Sequence, residues 1–119
     1  HHFAAVMGDF NIRLDVPKEE GWPAGSQKAW LKRDQLLLGQ MPGLKGFHEG
    51  LINFLPTYKY VRGSTSFDKH RCPAWCDRVV FKTEFSARCE LLEYESYTDV
   101  KFTSDHRPVA AQFLVSLPD

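Results

Sequence analysis

The sequence predicts a mixed α/β protein, an α+β-like arrangement in which one helical segment lies among strands. Three observations indicate this fold class. A short apolar run opens the chain, a segment with helical spacing follows it, and three stretches of strand character occupy the second half. The length of 119 residues is that of a single domain.

The first element is the apolar run FAAVM, residues 3–7. Gly8 follows the run, which predicts a buried strand that ends at this glycine. Asp9 and Asn11 then lie at the carboxyl end of the strand, where ligands gather in open α/β sheets. They are therefore candidate site residues, and an Asx turn that closes the strand is the alternative interpretation.

The second element is predicted as a helix over residues 26–41, SQKAWLKRDQLLLGQM. Ser26 is a suitable N-cap, and Pro42 with Gly43 should end the helix. The next stretch is broken by glycines and a proline, so it predicts no regular element before about residue 52. Four apolar residues have a spacing compatible with one helical face: Trp30, Leu31, Leu37 and Leu38.

The second half of the chain contains a polar loop and three predicted strands. Residues 62–71, RGSTSFDKHR, form the most loop-like segment. A strand begins in WCDRVVF, residues 75–81, where alternation sends Asp77 and Arg78 to opposite faces. We therefore expect Arg78 to make a packing or ion-pair contact behind any site that contains Asp77. The other strands are predicted at 89–97 and at 107–115, the latter with Val109, Ala111, Phe113 and Val115 in phase.

The charge composition limits the classes of partner. Fifteen lysines and arginines balance fifteen aspartates and glutamates, so no bulk attraction to nucleic acid or acidic lipid is expected. Between Lys59 and Arg78, five basic residues stand against two acidic ones, which makes this the candidate anion-binding segment.

The cysteine count and the hydropathy pattern indicate a cellular compartment. Three cysteines without a CxxC pair argue against a disulfide framework and fit a reducing environment. His70 with Cys72 and Cys76 matches no common zinc spacing. No apolar run is long enough to span a bilayer and no signal-peptide pattern is visible, so we expect a cytoplasmic protein with at most peripheral membrane contact.

A histidine next to a carboxylate precedes the last predicted strand. The triplet SDH contains Asp105 and His106. A histidine titrates near neutrality, and a carboxylate that accepts one ring hydrogen fixes its tautomer. Asp77, at the start of another predicted strand, is a candidate for that carboxylate.

Five short motifs occur along the chain in this order: GDFNIR (8–13), FHEG (47–50), PTYKY (56–60), CPAWCDRV (72–79) and SDHRPV (104–109). Together they resemble the inositol polyphosphate 5-phosphatases. This family belongs to the endonuclease/exonuclease/phosphatase superfamily of Mg²⁺-dependent phosphoester hydrolases. The resemblance implies that the chain is part of a two-sheet, four-layer α/β sandwich.

The resemblance also implies roles for individual residues. Asp77 matches the aspartate that hydrogen-bonds the catalytic histidine, here His106. Asp9 matches the residue that orients or deprotonates the attacking water, and Asn11 matches the amide that helps to hold that water and the phosphate. Asp105 matches a carboxylate close to the metal centre. By the same pattern, four residues contact a neighbouring phosphate of the inositol ring: Tyr58, Lys59, Lys69 and Arg71.

The family's catalytic domain is longer than this chain, which resembles its carboxyl-terminal part over residues 1–119. The principal metal-ligating glutamate of the family lies upstream of the GDFN motif. We therefore expect the chain to need an amino-terminal half of the domain or to self-associate.

Two hypotheses for the function follow. The first is a Mg²⁺-dependent enzyme, or part of one, that removes the 5-phosphate of inositol polyphosphates or phosphoinositides. The second is a catalytically silent domain that binds inositol phosphates or a protein partner. A nuclease relative is a weaker third interpretation, because the neutral net charge gives no support for nucleic acid as a partner.

Overall fold

A computed structural model describes residues 1–17 and 21–119 of the chain. It contains four strands, β1 (Phe3–Asp9), β2 (Asp77–Thr83), β3 (Arg88–Ser96) and β4 (Val109–Ser116). They form two antiparallel two-stranded sheets, β1 with β2 and β3 with β4. The predicted mixed α/β class is confirmed, with strands as the main component and helices limited to short pieces in the part of the chain that is described.

Strand β1 pairs with β2 along its whole length, from Phe3 opposite Thr83 to Asp9 opposite Asp77. The predicted end at Gly8 is wrong by one residue, because Gly8 has a φ of 141° that glycine tolerates and the strand continues. The prediction that this strand is buried is also wrong. Its carboxyl half is exposed, with Met7 68% exposed, because only β2 pairs with it among the residues described.

The two sheets pack through their apolar faces. Along β4 half-buried and exposed residues alternate, so the predicted phase of this strand is confirmed. The ring of Phe113 on β4 lies 4.9 Å from that of Phe81 on β2 and 5.3 Å from that of Phe3 on β1. Aromatic contacts of this edge-to-face kind join the sheets.

The long helix predicted over residues 26–41 is wrong. Ser26 is the N-cap, and its Oγ accepts from the Ala29 amide at 3.3 Å, but α1 spans only Gln27–Trp30. A 3₁₀ turn, Leu31–Arg33, follows, and the chain becomes extended at Asp34. Leu37 and Leu38 are consequently 57% and 47% exposed instead of facing the core with Trp30.

The predicted helix end at Pro42 and Gly43 is also wrong. Pro42 does not end a helix but begins a second 3₁₀ turn, Pro42–Leu44. Proline is tolerated at the first position of a helical turn because the amide at that position has no hydrogen-bond partner within the turn. The predicted loop 62–71 is confirmed, since it consists of turns and bends with one isolated bridge between Tyr60 and Phe67.

A buried ion-pair network explains why the helix stops. Arg78 on β2 is 1% exposed, and all five of its guanidinium hydrogens are donated. They go to both oxygens of Asp34 (2.7 and 2.9 Å), both oxygens of Glu49 (2.6 and 2.8 Å) and the Trp75 carbonyl (3.0 Å). The expected ion-pair contact of Arg78 is therefore confirmed, and Asp34 must leave the helical path to make it.

The protonation states of the network follow from its contacts. Burial lowers the pKa of Arg78, but the hydrogen bonds and charges of Glu49 and Asp34 outweigh this effect and raise its pKa above the ordinary value. The Tyr94 hydroxyl donates to Glu49 at 2.6 Å and accepts from the Val79 amide at 3.1 Å. Burial, and then the negative charge of Glu49, raise the pKa of Tyr94. The network thus links β2 and β3 to the loops that carry Asp34 and Glu49.

The apolar core contacts this network through Trp75, Val79 and Tyr94. None of the helices described is long and apolar enough to cross a membrane. The three cysteines are free thiols. The buried residues of the core cluster are Leu14, Trp30, Phe54, Trp75, Val79 and Tyr94.

Candidate active site

The pairing of β1 with β2 brings two carboxylates together. Asp9 is the last residue of β1 and Asp77 is the first of β2, and the antiparallel register places them opposite each other. His106 lies in the turn that leads into β4 and reaches the same point. Three residues from distant parts of the sequence therefore meet at one end of the first sheet.

The His106 ring lies between the two carboxylates. Its Nδ1 is 2.9 Å from Asp77 Oδ2, and its Nε2 is 3.6 Å from Asp9 Oδ2. Because an ionised carboxylate can only accept a hydrogen bond, Nδ1 carries the hydrogen that Asp77 accepts. The side chain of Asp77 is 17% exposed and that of Asp9 is 50% exposed, so Nε2 faces the open side of the cluster.

Asn11 is fixed close to this cluster by two contacts. Its backbone amide donates to Asp9 Oδ1 at 2.8 Å, which is the Asx turn that the sequence offered as an alternative. Its side-chain carbonyl accepts from Arg13 Nε at 2.9 Å. Asn11 has a φ of 56°, a conformation that asparagine tolerates better than most residues. The turn and the candidate site thus share the same residues.

The ring of Tyr58 packs directly on the ring of His106. Its ring centroid is 4.5 Å from that of His106, and the guanidinium carbon of Arg13 lies 4.7 Å from the Tyr58 ring on the same stack. Tyr58 also forms isolated backbone bridges to Ala74 and to His106. Of the four residues predicted to contact a second phosphate, Tyr58 is thus in direct contact with the cluster.

The other three lie farther along the same surface. Lys59 Nζ is 3.4 Å from Asp68 Oδ2. The His70 amide donates to Asp68 at 2.7 Å, and this bond, together with Lys59, lowers the pKa of Asp68. Lys69 and Arg71 line an open cavity of about 480 Å³. This cavity, which we call the basic cavity, is also lined by Arg13, Leu14, Val16, Pro17, Gly21, Trp22, His70 and Cys72.

Asp105 lies outside the cluster. Its carboxylate is 3.8 Å from Arg62 Nη2, and its carbonyl accepts from the Tyr60 amide at 2.8 Å. In the described part of the chain, the group of side chains whose geometry could hold a metal ion contains Asp9, Asp77 and His106 and not Asp105. The role of Asp105 at a metal stays a prediction.

The donor atoms of the cluster can be compared with the needs of a metal ion. Asp9, Asp77 and His106 each offer one ligand atom, all within 4.8 Å of one another. Mg²⁺ prefers oxygen ligands and is commonly held by one or two carboxylates together with substrate phosphates and water. The half-exposed Asp9 carboxylate fits this mode. Asp77 fits it less well, because its Oδ2 already accepts hydrogen bonds from His106 and Thr57.

Two contacts in the site involve residues that the sequence analysis did not select. Arg13 belongs to the GDFNIR motif, and its contact with Asn11 at spacing i+2 could have been considered from that motif. Thr57 belongs to PTYKY, and its hydroxyl donates to Asp77 Oδ2 at 2.7 Å. Nothing local in the sequence connects Thr57 with Asp77, because the contact depends on the tertiary fold.

Fold and site together define a class of protein. Residues 1–112 match the sequence model of Endonuclease/Exonuclease/phosphatase family 2, so the chain belongs to this family. The inositol polyphosphate 5-phosphatase domain of SPsynaptojanin, solved with inositol (1,4)-bisphosphate and a calcium ion, is 33% identical with a TM-score of 0.76. The match covers 98% of this chain and 36% of that one.

The similar proteins include inositol polyphosphate 5-phosphatases, the family that the motifs indicated, and synaptojanins. Synaptojanin-2 from Homo sapiens is 39% identical over 127 residues, which cover 95% of this chain and 8% of that protein. Type IV inositol polyphosphate 5-phosphatase 9 from Arabidopsis thaliana is 34% identical over 131 residues, covering 98% of this chain and 30% of that protein. The chain thus spans less than a third of the length of these two relatives.

The same fold occurs in a protein with a different ligand. Cimex nitrophorin, solved as a ferrous NO complex, has a TM-score of 0.81 and 27% identity, covering 98% of this chain and 42% of that one. Fold alone therefore does not decide the chemistry, and the argument for function depends on the site.

Proposed function

We propose that this chain forms part of the catalytic site of a phosphatase that removes the 5-phosphate from inositol polyphosphates or phosphoinositides. The observation that carries the proposal is the position of His106 between Asp77 and Asp9. The relatives that carry 5-phosphatase names support the substrate class.

The proposed roles follow from which groups can donate and which can accept. Asp77 accepts the Nδ1 hydrogen of His106, which leaves Nε2 free to interact with a phosphoryl oxygen or with water. Asp9, half-exposed at 3.6 Å from Nε2, orients the attacking water and accepts its proton. Asn11 holds the water and the phosphate through its side-chain amide. In the reaction, water adds to phosphorus, the bond from phosphorus to the inositol oxygen breaks, and that oxygen takes a proton from solvent water.

Mg²⁺ is the proposed cofactor. Asp9, and by the family pattern Asp105, would hold it together with the substrate phosphate. When bound, the ion would neutralise charge on the phosphoryl oxygens.

The substrate would be read by the basic surface next to the cluster. We propose that Tyr58, Lys59, Lys69 and Arg71 contact a second ring phosphate, with Lys69 and Arg71 acting from the basic cavity. A phosphoinositide headgroup would place the protein at the cytoplasmic surface of a membrane, whereas a soluble inositol phosphate would not.

Phosphate release from inositol 1,4,5-trisphosphate in the presence of Mg²⁺ tests the proposal. We expect His106→Ala and Asp9→Asn each to lower the rate at least about 100-fold, which is the smallest usual contribution of a general base. His48→Ala is the matched control, because His48 is exposed and packs on Phe81 away from the cluster. A rate that survives in the His106 variant would contradict the proposal.

The second candidate function is binding without turnover. The basic cavity favours it, because its cationic side chains can hold an anion without any of the cluster residues. Under this hypothesis the chain binds inositol 1,4,5-trisphosphate in calorimetry but releases no phosphate, and His106→Ala leaves the affinity unchanged.

A further inference from the structure

The hydroxyl of Thr57 contacts the carboxylate of Asp77 in the interior of the protein. Thr57 is completely buried. Its Oγ1 donates to Asp77 Oδ2 at 2.7 Å, and Oδ2 is the same oxygen that accepts the Nδ1 hydrogen of His106. A single carboxylate oxygen thus receives two hydrogen bonds, one from each side.

These two bonds fix the direction of the Asp77 carboxylate. A carboxylate that accepts one bond can rotate and offer either oxygen, whereas a second bond to the same atom removes that freedom. The Asp77 amide also lies 3.4 Å from Thr57 Oγ1, so the backbone and the side chain of Asp77 both face this hydroxyl. Burial prevents water from replacing the hydroxyl as donor.

The backbone of Thr57 holds the other member of the pair. Its carbonyl accepts from the Arg107 amide at 2.8 Å, directly after His106, and its amide donates to the Ala74 carbonyl at 3.1 Å. Thr57 therefore contacts Asp77 through its side chain and the peptide after His106 through its main chain. Thr57 thus connects Asp77 with the chain segment that carries His106.

We propose that Thr57 is a positioning residue that orients Asp77 and thereby keeps the hydrogen of His106 on Nδ1. The inference rests on the function proposed above for its effect on catalysis. Its effect on the histidine ring is independent of turnover.

Thr57→Val and Thr57→Ser form the matched pair that tests this role. Valine keeps the branched shape but has no hydroxyl, whereas serine keeps the hydroxyl. Long-range ¹H–¹⁵N correlations of the ring, assigned by their loss in His106→Ala, report which nitrogen carries the hydrogen. We expect the Nδ1–H form in the native chain and in Thr57→Ser, and a shift toward the Nε2–H form in Thr57→Val.

The kinetic expectation follows from the loss of orientation. A misplacement of about 1 Å at a catalytic group can cost about 100-fold. We therefore expect kcat for inositol 1,4,5-trisphosphate to fall about 10- to 100-fold in Thr57→Val with KM unchanged, and to stay near the native value in Thr57→Ser.

Each outcome decides between the proposals. If the His106 ring keeps its native tautomer in the Thr57→Val variant, or if kcat of that variant is native, the positioning role is overturned while the proposed function stands. The expected tautomer change in a chain that releases no phosphate would support positioning and reject the proposed activity of this chain. The dispersion of the backbone amide spectrum reports folding, and Thr57→Ala is the second hydroxyl-free variant. If neither hydroxyl-free variant folds while Thr57→Ser does, the hydroxyl serves the fold and the positioning role is rejected.

Discussion

Asp77 is a charged residue next to an apolar stretch, and its contacts explain this position. It opens the apolar stretch of β2, where a carboxylate would be costly to bury without partners. Its Oδ2 accepts hydrogen bonds from Thr57 and His106, so the charge is compensated and the residue can stand at the strand end. A polar residue at such a position is compatible with the apolar strand when hydrogen bonds compensate its charge.

The residue next to it, Cys76, has the opposite character and gives a testable prediction. Cys76 is fully buried, and burial raises the pKa of its thiol to about 12. Because the thiolate is the reactive form, we expect no alkylation of Cys76 by iodoacetamide in the folded protein at pH 8. Mass spectrometry after timed labelling measures this in a Cys72→Ser, Cys89→Ser variant, which leaves Cys76 as the one thiol.

The control for this prediction is the same variant unfolded in guanidinium, where Cys76 should react at the rate of a free thiol. Rapid labelling under native conditions would mean that the segment before β2 opens locally or that Cys76 is not buried. The result of this labelling experiment does not depend on the predicted reducing compartment.

At the scale of elements, one buried arginine decides how the middle of the chain runs. The residues after Trp30 have helical spacing, but Asp34 turns inward to pair with Arg78. Continuing the helix would gain on the order of a few tenths of a kcal/mol per residue in propensity. Leaving a buried charge without its partner costs several kcal/mol, so the ion pair determines the path.

Removing Arg78 should therefore destabilise the protein strongly. Arg78→Met leaves Asp34 and Glu49 without their partner, and we expect the free energy of unfolding to fall by about 3–5 kcal/mol. Urea denaturation followed by tryptophan fluorescence measures this, since Trp75 is buried beside the network.

A lysine on the same strand provides the comparison. Lys82 lies 3.6 Å from Glu84 with both side chains more than 40% exposed, so Lys82→Met should change the free energy of unfolding by less than about 1 kcal/mol. If the free energy of unfolding falls equally in the two variants, the buried network contributes no more to stability than the exposed ion pair of Lys82.

For the molecule as a whole, the amount of exposed surface is unusual. The accessible surface is 7754 Å², whereas a compact monomer of this mass exposes about 6,600 Å². The radius of gyration is 15.7 Å, compared with about 13.5 Å for a typical domain of this length. In the part of the chain that is described, β1 pairs with one neighbour and β4 with one, so each leaves an edge free.

We expect the isolated chain to self-associate through the exposed edge of β1. A free strand edge with exposed apolar residues, here Val6 and Met7, can pair with a second copy. Light scattering coupled to size-exclusion chromatography should show a mass that rises with concentration. Met7→Lys should reduce the association, because a charge on an edge strand opposes pairing.

Leu51→Lys is the control for this experiment, since Leu51 is 84% exposed but lies in a loop away from β1. It should leave the association unchanged. A monomer at all concentrations, or an equal effect of the two lysine variants, would contradict pairing through β1.

The sequence alone located most of the candidate site, though not its geometry. The strand end within one residue of Asp9, the turn at Asn11 and the loop before His106 are local features, so short-range patterns predict them. The distances that join Asp9, Asp77 and His106 depend on the register of β1 with β2 and on the approach of the loop before β4. No local pattern contains that information, and for the same reason Thr57 was not selected.

What the sequence determined by itself was the family, the mixed α/β class, the alternation along β4 and the capping of α1 by Ser26. Each of these is recorded in neighbouring residues. Tertiary structure decided where the helix stops, which half of β1 is exposed and which hydroxyl contacts Asp77. The physical reason is that burial of charge and pairing of strands are long-range effects, and their energies of several kcal/mol exceed the local preferences that a sequence pattern expresses.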